Sequence, residues 1–188
     1  MNGVLPNQEI EKLIEIGSIT SEVPIDPEQI QPASLDLRLS GKAFRIRASF
    51  LPGSREKVED RLKSLKMHEI DLRDGAVLEK GCVYLVPLLE ELNLSQDIQA
   101  AANAKSSTGR LDLLTRVITN SGEEFDRVSS GYCGNLYAEI CPRSFSVLVR
   151  QGMKLNQIRY RNKNTTLNEE DLTALHAQET LVPGNAII

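Results

Sequence analysis

The sequence predicts a mainly β domain, a distorted barrel or jelly roll with helices at its periphery. Many short segments alternate between apolar and polar residues, which is the period of half-buried strands. The alternation is clearest over residues 34–47, where a Ser40-Gly41 turn separates two such runs. Further short strands are predicted over residues 69–72, 82–89, 136–140, 146–149 and 155–160, and a strand or a turn over residues 97–104.

Two other segments have the apolar spacing of helices. The first is predicted to begin at Asn7 as its N-cap and to close at Gly17, a residue that favours helix C-termini. The second covers residues 54–66, with Ser54 as its predicted N-cap. Helices are therefore expected to flank the strands.

The length of 188 residues is enough for one domain with a sizeable core. That core is predicted to cover about residues 30–160. Residues 161–188 are predicted to form a C-terminal extension, with a short helix after a polar linker. The extension ends in the apolar run LVPGNAII, which is typical of a chain that leads into a second domain of a longer protein or was cut there.

The composition excludes several classes of partner. A net charge of -4 and a pI of about 5.3 argue against a duplex nucleic-acid binder, which needs a basic face. No apolar run is long enough for a membrane span, and the N-terminus has no signal-peptide pattern. Three cysteines without a CxxC pair indicate reduced thiols, so a cytoplasmic location is expected.

The segment from Lys105 to Arg110 is the first candidate for chemistry. Ser106 and Ser107 place two hydroxyls between two cations, and Gly109 permits close backbone approach. Hydroxyls and backbone N–H groups bind phosphate oxygens, and Lys and Arg neutralise their charge. A solvated polar turn explains the same residues equally well, and no P-loop motif is present.

Three further candidate site residues are polar side chains in or next to predicted strands. Glu139 lies in an apolar strand with Tyr137 on the same side, where burial requires a partner, although a surface-facing position is favoured by the spacing alone. Asp36 falls on the polar face of its strand, which predicts an exposed carboxylate. Gln157 ends a segment that follows a predicted turn and has the pattern of an ordinary hairpin.

A zinc site is not expected. Zinc-dependent nucleobase deaminases need a His or Cys beside a catalytic Glu, together with a PCxxC motif. This chain has only His68 and His176, and Pro142 follows Cys141 rather than preceding a cysteine pair. The ligand set of a zinc site is therefore missing from the sequence.

Taken in order, four segments resemble the signature motifs of the dCTP deaminase family, a branch of the dUTPase-like trimers. Each segment is weak alone, but four in this order and at this spacing are specific. The resemblance covers about residues 30–160, is closest to the N-terminal half of members with two such domains in tandem, and implies a dUTPase-like (β-clip) core. The four segments are residues 31–39, 105–111, 131–139 and 151–157.

The resemblance implies hydrolytic deamination of dCTP to dUTP and ammonia, in pyrimidine deoxynucleotide biosynthesis. Without zinc, a carboxylate must activate the water that attacks C4 of cytosine, and Glu139 is expected to be this general base. Ser106 is expected to hold the water or the tetrahedral centre. Arg110 is expected to lie near the base and Glu139 and to stabilise developing charge. Lys105 and Ser107 are expected to bind phosphate.

The same resemblance implies further contacts and partners. The backbone around Val117 and Thr119 is expected to read the cytosine edge, and Gly109 and Gln157 to contact the nucleotide. Magnesium is expected on the triphosphate oxygens, mostly through waters and without a direct protein ligand, so that Asp36 reaches it only indirectly. A homotrimer is implied, because the family builds each site from more than one subunit.

Two other functions remain open. A dUTP diphosphatase, or a bifunctional enzyme that converts dCTP to dUMP, needs an Asp to activate water at the α-phosphate, and Asp126 is the candidate. Glu139 favours deamination, because a diphosphatase has no need of a carboxylate facing the base. The third function is a non-catalytic nucleotide-binding half of a tandem protein. It is favoured because no lid motif is recognisable after residue 161, and opposed by the set of Ser106, Arg110 and Glu139.

Overall fold

The computed structural model describes residues 3–162 and 167–182. Its α-helices are α1 (Asn7–Glu15), α2 (Val58–Leu65), α3 (Ser106–Arg110) and α4 (Glu169–Gln178), and a 3-10 turn covers Pro27–Gln29. Its strands are β1 (Ile19–Ser21), β2 (Ile30–Gln31), β3 (Ser34–Arg38), β4 (Lys42–Ile46), β5 (Lys66–Asp71), β6 (Ala76–Leu78), β7 (Val83–Asn93), β8 (Ile98–Ala104), β9 (Leu113–Thr119), β10 (Arg127–Val128), β11 (Cys133–Pro142), β12 (Val147–Val149) and β13 (Lys154–Asn162).

The strands form two large antiparallel sheets and one small one. The first sheet has the order β5-β4-β7-β11-β9, with β1 also paired to β7. The second has the order β10-β8-β13-β3-β2, and β6 pairs with β12 in a two-stranded sheet. The described residues thus form separate sheets rather than one closed barrel. The predicted mainly β class, with a distorted core and peripheral helices, is confirmed.

The main hydrophobic core is aliphatic. Fully buried leucines, isoleucines and valines from both large sheets and from α1 fill it, together with Tyr84 and Tyr160. The strand pattern supplies these residues alternately, because successive side chains of a strand point to opposite faces. Leu35 and Leu37 of β3, for example, are both completely buried.

The predicted helix ends are only partly correct. Pro6, rather than Asn7, holds the N-cap position of α1, and the Asn7 N–H donates to the Pro32 carbonyl. Gly17 does close the helix, with a φ of +75°, and the N–H of Ser18 donates to Leu13 in a Schellman arrangement. Asn7 fails as a cap because proline already supplies the extended entry into the first turn.

Helix α2 begins at Val58, four residues after the predicted cap, Ser54. Lys57 holds the N-cap position without a side-chain hydrogen bond. The first free N–H of the helix, that of Val58, donates instead to Oδ1 of Asn120, 2.9 Å away and 62 positions along the chain. The cap is therefore tertiary, and local spacing could not reveal it.

The segment around α2 covers one face of the first sheet. This segment is the insertion between β4 and β5, and it packs against the face of β11 on which Tyr137 lies. The Tyr137 hydroxyl donates a hydrogen bond to the Glu59 carboxylate. This second, smaller core excludes water from the centre of that face. Its buried members are Ile46, Phe50, Val58, Leu62, Leu85, Ile118 and Tyr137.

A buried ion pair fastens the second sheet to the first. Glu90 of β7 is fully buried and accepts hydrogen bonds at Oε1 from Arg38 Nε at 2.7 Å and from Gln29 Nε2 at 2.9 Å. Its Oε2 accepts the Arg38 backbone N–H at 2.8 Å. The guanidinium of Arg38 also donates to the carbonyls of Pro24 and Val23, which holds the irregular connection before β2. Local sequence patterns did not predict this network, because Arg38 and Glu90 lie 52 positions apart in the chain.

The short helix predicted in the C-terminal extension is present as α4. Asn168 caps it, accepting the Asp171 N–H at 2.7 Å, and none of its residues is buried. Residues 163–166 and 183–188 of the predicted extension lie outside the described residues, including most of its apolar end. Among the helices described, none has the length and apolar character needed to cross a membrane.

Candidate functional site

Glu139 lies in the middle of β11 and is 2% exposed. The surface-facing interpretation of this residue is therefore wrong. Its Oε1 accepts two hydrogen bonds from Arg116, at 2.5 Å from Nη2 and 3.2 Å from Nε. Its Oε2 is buried and has no hydrogen-bond partner among the described residues. A buried carboxylate with one open acceptor is poised to meet a water or a ligand.

Arg116 is a residue that sequence reasoning missed. It lies on β9 directly opposite Glu139 in the antiparallel register, so the two side chains share one face. Its guanidinium stacks over the ring of Phe125, 3.7 Å from the centroid, and Nη2 donates to Ser49 Oγ at 3.1 Å. An arginine in an otherwise apolar strand was a signal, but only the register of β9 against β11 identifies its partner.

The segment from Lys105 to Arg110 forms a single helical turn after β8. Thr108 is its buried anchor, because Oγ1 donates to the Leu155 carbonyl at 3.0 Å. The side chains of Ser106 and Arg110 are exposed, and neither has a partner in the described part of the chain. Anchoring by one threonine thus presents the serine and the arginine to the outside of the chain.

Lys105 and Asp36 form an ion pair between the end of β8 and β3. The Asp36 side chain is only 3% exposed, so the prediction of an exposed carboxylate is wrong. The alternation is correct, but both faces of β3 are covered. Gln157 lies directly opposite Asp36 on β13 and accepts a hydrogen bond from Ser34 Oγ at 3.3 Å. These four polar residues form one cluster next to α3.

Asp126 lies beside β9, where its Oδ1 accepts the backbone N–H of Val117 at 2.7 Å. The Asp126 N–H donates in return to the Val117 carbonyl at 2.8 Å. Burial raises the pKa of the Asp126 carboxyl, and the Val117 N–H and the charge of Arg116 oppose that rise. The Val117 amide belongs to the backbone that the family resemblance expects to read cytosine, and it already donates within the chain.

A surface pocket opens next to Thr119, at the end of β9. Tyr132 forms one wall; its hydroxyl accepts the Asn120 N–H at 3.0 Å and donates to the Asn135 carbonyl at 2.6 Å. Burial raises the pKa of Tyr132 to about 12, so the hydroxyl keeps its proton at neutral pH. The pocket lining is Thr119, Asn120, Ser121, Gly122, Glu123, Glu124, Arg127, Ser129 and Tyr132.

The predicted site residues thus separate into two groups within one chain. Glu139 lies with Asp126, Val117 and Thr119 around β9 and β11. The second group lies around α3 and β3. Within this chain the guanidinium beside Glu139 is that of Arg116 and not that of the predicted Arg110. The second group comprises Lys105, Ser106, Ser107, Gly109 and Arg110 together with Asp36 and Gln157.

The Asp36 carboxylate does not fit a magnesium ion held directly by protein. Asp36 is buried and already neutralised by Lys105, which leaves no open oxygen pair for a hard cation. Across residues 3–162 and 167–182, no three His, Cys, Asp or Glu side chains are grouped as a metal site.

Comparison with known proteins assigns the chain to a family. The family model of the 2'-deoxycytidine 5'-triphosphate deaminase (DCD) N-terminal domain matches residues 1–164. A solved 2'-deoxycytidine 5'-triphosphate deaminase from Agrobacterium tumefaciens is 52% identical, with a TM-score of 0.86. That alignment covers 97% of this chain and 55% of the other, so the chain spans about half the length of that protein.

Two curated relatives agree with this assignment. The "dCTP deaminase, dUMP-forming" of Tropheryma whipplei (strain Twist) is 32% identical over 149 residues, 79% of this chain and 69% of the relative. The protein of the same name from Corynebacterium glutamicum (strain R) is 30% identical over 158 residues, 82% of this chain and 78% of the relative. The resemblance found in the four sequence motifs is confirmed. The chain belongs to the 2'-deoxycytidine 5'-triphosphate deaminase N-terminal domain family.

Proposed function

We propose that the chain catalyses the hydrolytic deamination of dCTP to dUTP and ammonia. The observation that carries this proposal is the buried Glu139 carboxylate, which has one oxygen held by Arg116 and the other without a partner among the described residues. Deamination needs a base of this kind beside the pyrimidine, whereas cleavage of a phosphoanhydride does not. The names of the relatives agree with a dCTP substrate.

The chemistry assigns one role to each residue. Glu139 takes one proton from the water that attacks C4 of cytosine and delivers it to N3. The same carboxylate then takes the remaining proton from the new C4 hydroxyl and delivers it to the amino group, so that C4 becomes a carbonyl and the C4–N bond breaks to release ammonia. Ser106 holds the water or the tetrahedral centre, and Arg110 stabilises the charge that develops there. No zinc takes part in these steps.

The phosphates belong to the group around α3. Lys105 keeps two of its three N–H donors for phosphate while it pairs with Asp36, and its side chain is 27% exposed. Ser107 and Gly109 lie exposed on the same turn, and Gln157 lies beside Asp36. Magnesium would enter on the triphosphate oxygens, where it neutralises charge and keeps its waters.

A homotrimer completes the site in this proposal. The support is the separation of the two groups. Ser106 and Arg110 are exposed and have no partner within residues 3–162 and 167–182, whereas Glu139 is buried beside Arg116. One subunit would supply the α3 turn and its neighbour would supply β9 and β11, so that a monomer lacks a complete site. The proposed compartment is the cytoplasm, in keeping with three free cysteines.

A second candidate is the two-step conversion of dCTP to dUMP. The names of the relatives favour it, since both proteins are called dUMP-forming. Asp126 is the candidate for activating water at the α-phosphate. Its carboxylate already accepts the Val117 N–H through Oδ1, so Oδ2 would have to receive the proton.

The test is incubation of the purified 188-residue chain with dCTP and magnesium, with ammonia and nucleotides measured together. Equal amounts of ammonia and dUTP support the proposal. Ammonia with dUMP and pyrophosphate supports the second candidate. Binding of dCTP without ammonia contradicts both, and identifies a non-catalytic nucleotide-binding half.

A further inference from the structure

We propose that Arg116 is a positioning residue that fixes which oxygen of Glu139 exchanges the proton: Arg116 holds Oε1, and Oε2 is the base. The inference rests on the proposed deaminase function and names a residue and an atom within that site. Two N–H groups of one guanidinium point at Oε1, at 2.5 and 3.2 Å. Among the described residues, Oε2 faces no donor although it is buried.

The hydrogen-bond donors of Arg116 decide which oxygen of Glu139 carries the proton. Arginine has no acceptor and is not deprotonated in proteins, so it cannot take the proton that Glu139 removes from water. A proton on Oε1 would face two N–H donors, which is unfavourable. The proton therefore resides on Oε2 in the protonated state, and Oε1 remains an acceptor throughout the reaction.

Arg116 is itself held from two sides. Its guanidinium lies over the Phe125 ring at 3.7 Å, and Nη2 is shared with Ser49 Oγ at 3.1 Å. Ser49 belongs to the insertion between β4 and β5, whose apolar side chains cover the same face of the sheet. Stacking and hydrogen bonding leave the planar guanidinium little freedom, which is how it restrains the carboxylate.

The orientation that Arg116 imposes on Glu139 matters because the carboxylate is buried. A carboxylate that is 2% exposed has lost its water, and Arg116 is its only ion-pair partner in the described part of the chain. The open Oε2 then accepts its missing hydrogen bond from the nucleophilic water or from the exocyclic amino group of cytosine. An error of about 1 Å in such a group costs about 10²-fold in rate.

The test compares kcat and KM for dCTP in Arg116→Gln, Arg116→Lys and Arg45→Gln. Arg45 is the matched control, because its side chain is also 30% exposed and pairs with a glutamate, Glu79, at 2.8 Å. We expect Arg116→Gln to lower kcat about 100-fold with KM within about threefold, since substrate contacts are untouched. Arg116→Lys should recover part of the loss, and Arg45→Gln should stay within about twofold.

Either of two results would overturn the inference: Arg116→Gln with kcat within about threefold of the unmodified chain, or a loss that is entirely in KM. If the unmodified chain releases no ammonia, the proposed function fails separately. The restraint is then judged by denaturation of Arg116→Gln, Glu139→Gln and the double variant. Arg116→Gln should lower the unfolding midpoint less in the Glu139→Gln variant than in the unmodified chain. Equal decreases of the midpoint in the two proteins would overturn the inference that Arg116 restrains Glu139.

Discussion

The Asp126 carboxylate and the Val117 amide are joined by a 2.7 Å hydrogen bond that closes the free edge of β9, beside the strand of Glu139. Asp126 adopts a φ of +62°, a left-handed conformation that Asp and Asn tolerate better than most residues. The backbone of the same residue returns a hydrogen bond to the Val117 carbonyl. Asp126 therefore shapes the edge at which the nucleotide base is proposed to bind.

Replacement of Asp126 by Asn tests the electrostatics of this contact. Asparagine keeps the acceptor and tolerates the left-handed backbone, but it carries no charge to desolvate. Because burial raises the folded pKa of Asp126 above its ordinary value of 3.8, its stabilising contribution is present below that value and is lost as pH rises through the folded pKa. The variant should therefore gain stability over the unmodified chain as pH rises.

Urea unfolding at pH 3.5, 5 and 7 provides the measurement. The exposed Asp97→Asn is the control, and its stability relative to the unmodified chain should change little over the same range. A variant Asp126→Asn that is less stable at pH 7 than the unmodified chain, by more than at pH 3.5, would contradict this account of Asp126.

Replacement of Glu90 by Gln tests the buried ion pair between the sheets. The change leaves the guanidinium of Arg38, only 9% exposed, without its counter-charge. Loss of one partner from such a pair costs about 3 kcal/mol of unfolding free energy or more. Glu69→Gln is the control, because its pair with Lys42 is exposed and should contribute no more than about 0.5 kcal/mol. Similar losses in the two variants would show that the buried pair is not a fastening point.

Mixing of two inactive variants tests the proposed division of the site between subunits. Arg110→Ala and Glu139→Gln should each be inactive alone. After joint refolding in equal amounts, half of the chains supply each intact residue, so about one quarter of the sites should contain both. Ammonia release should then return to about one quarter of the unmodified rate.

The control mixture combines Arg110→Ala with Ser106→Ala. Both residues lie on α3 and come from the same chain, so no site in this mixture has both intact and no activity should return. Recovery in the control, or none in the mixture of Arg110→Ala and Glu139→Gln, would contradict a site shared between subunits.

The periodic pattern predicted the strands well because alternation is local. Residues 34–38 and 136–140 are strands, as the alternation over these residues predicts. The pattern did not predict that Asp36 and Glu139 are buried, because that depends on which elements cover the polar face. Lys105 covers one carboxylate, and Arg116 with the insertion before β5 covers the other.

Local sequence patterns also could not predict contacts between residues that lie far apart in the chain. The cap of α2 comes from Asn120, 62 positions away, so Ser54 was a reasonable but wrong choice. Arg116 became significant only through the register that sets it opposite Glu139. The four motifs identified the family, but they could not show that Ser106 and Glu139 lie in separate groups of one chain.

The most direct test of the central claim compares Glu139→Gln with the unmodified chain in ammonia release from dCTP and in dCTP binding. Exposed Glu91→Gln, on the neighbouring strand β7, is the matched control and should behave as the unmodified chain. The account predicts that Glu139→Gln lowers kcat by about 10³-fold or more while dCTP binding changes by no more than about threefold. Near-normal turnover by Glu139→Gln would contradict the assignment of this carboxylate as the base.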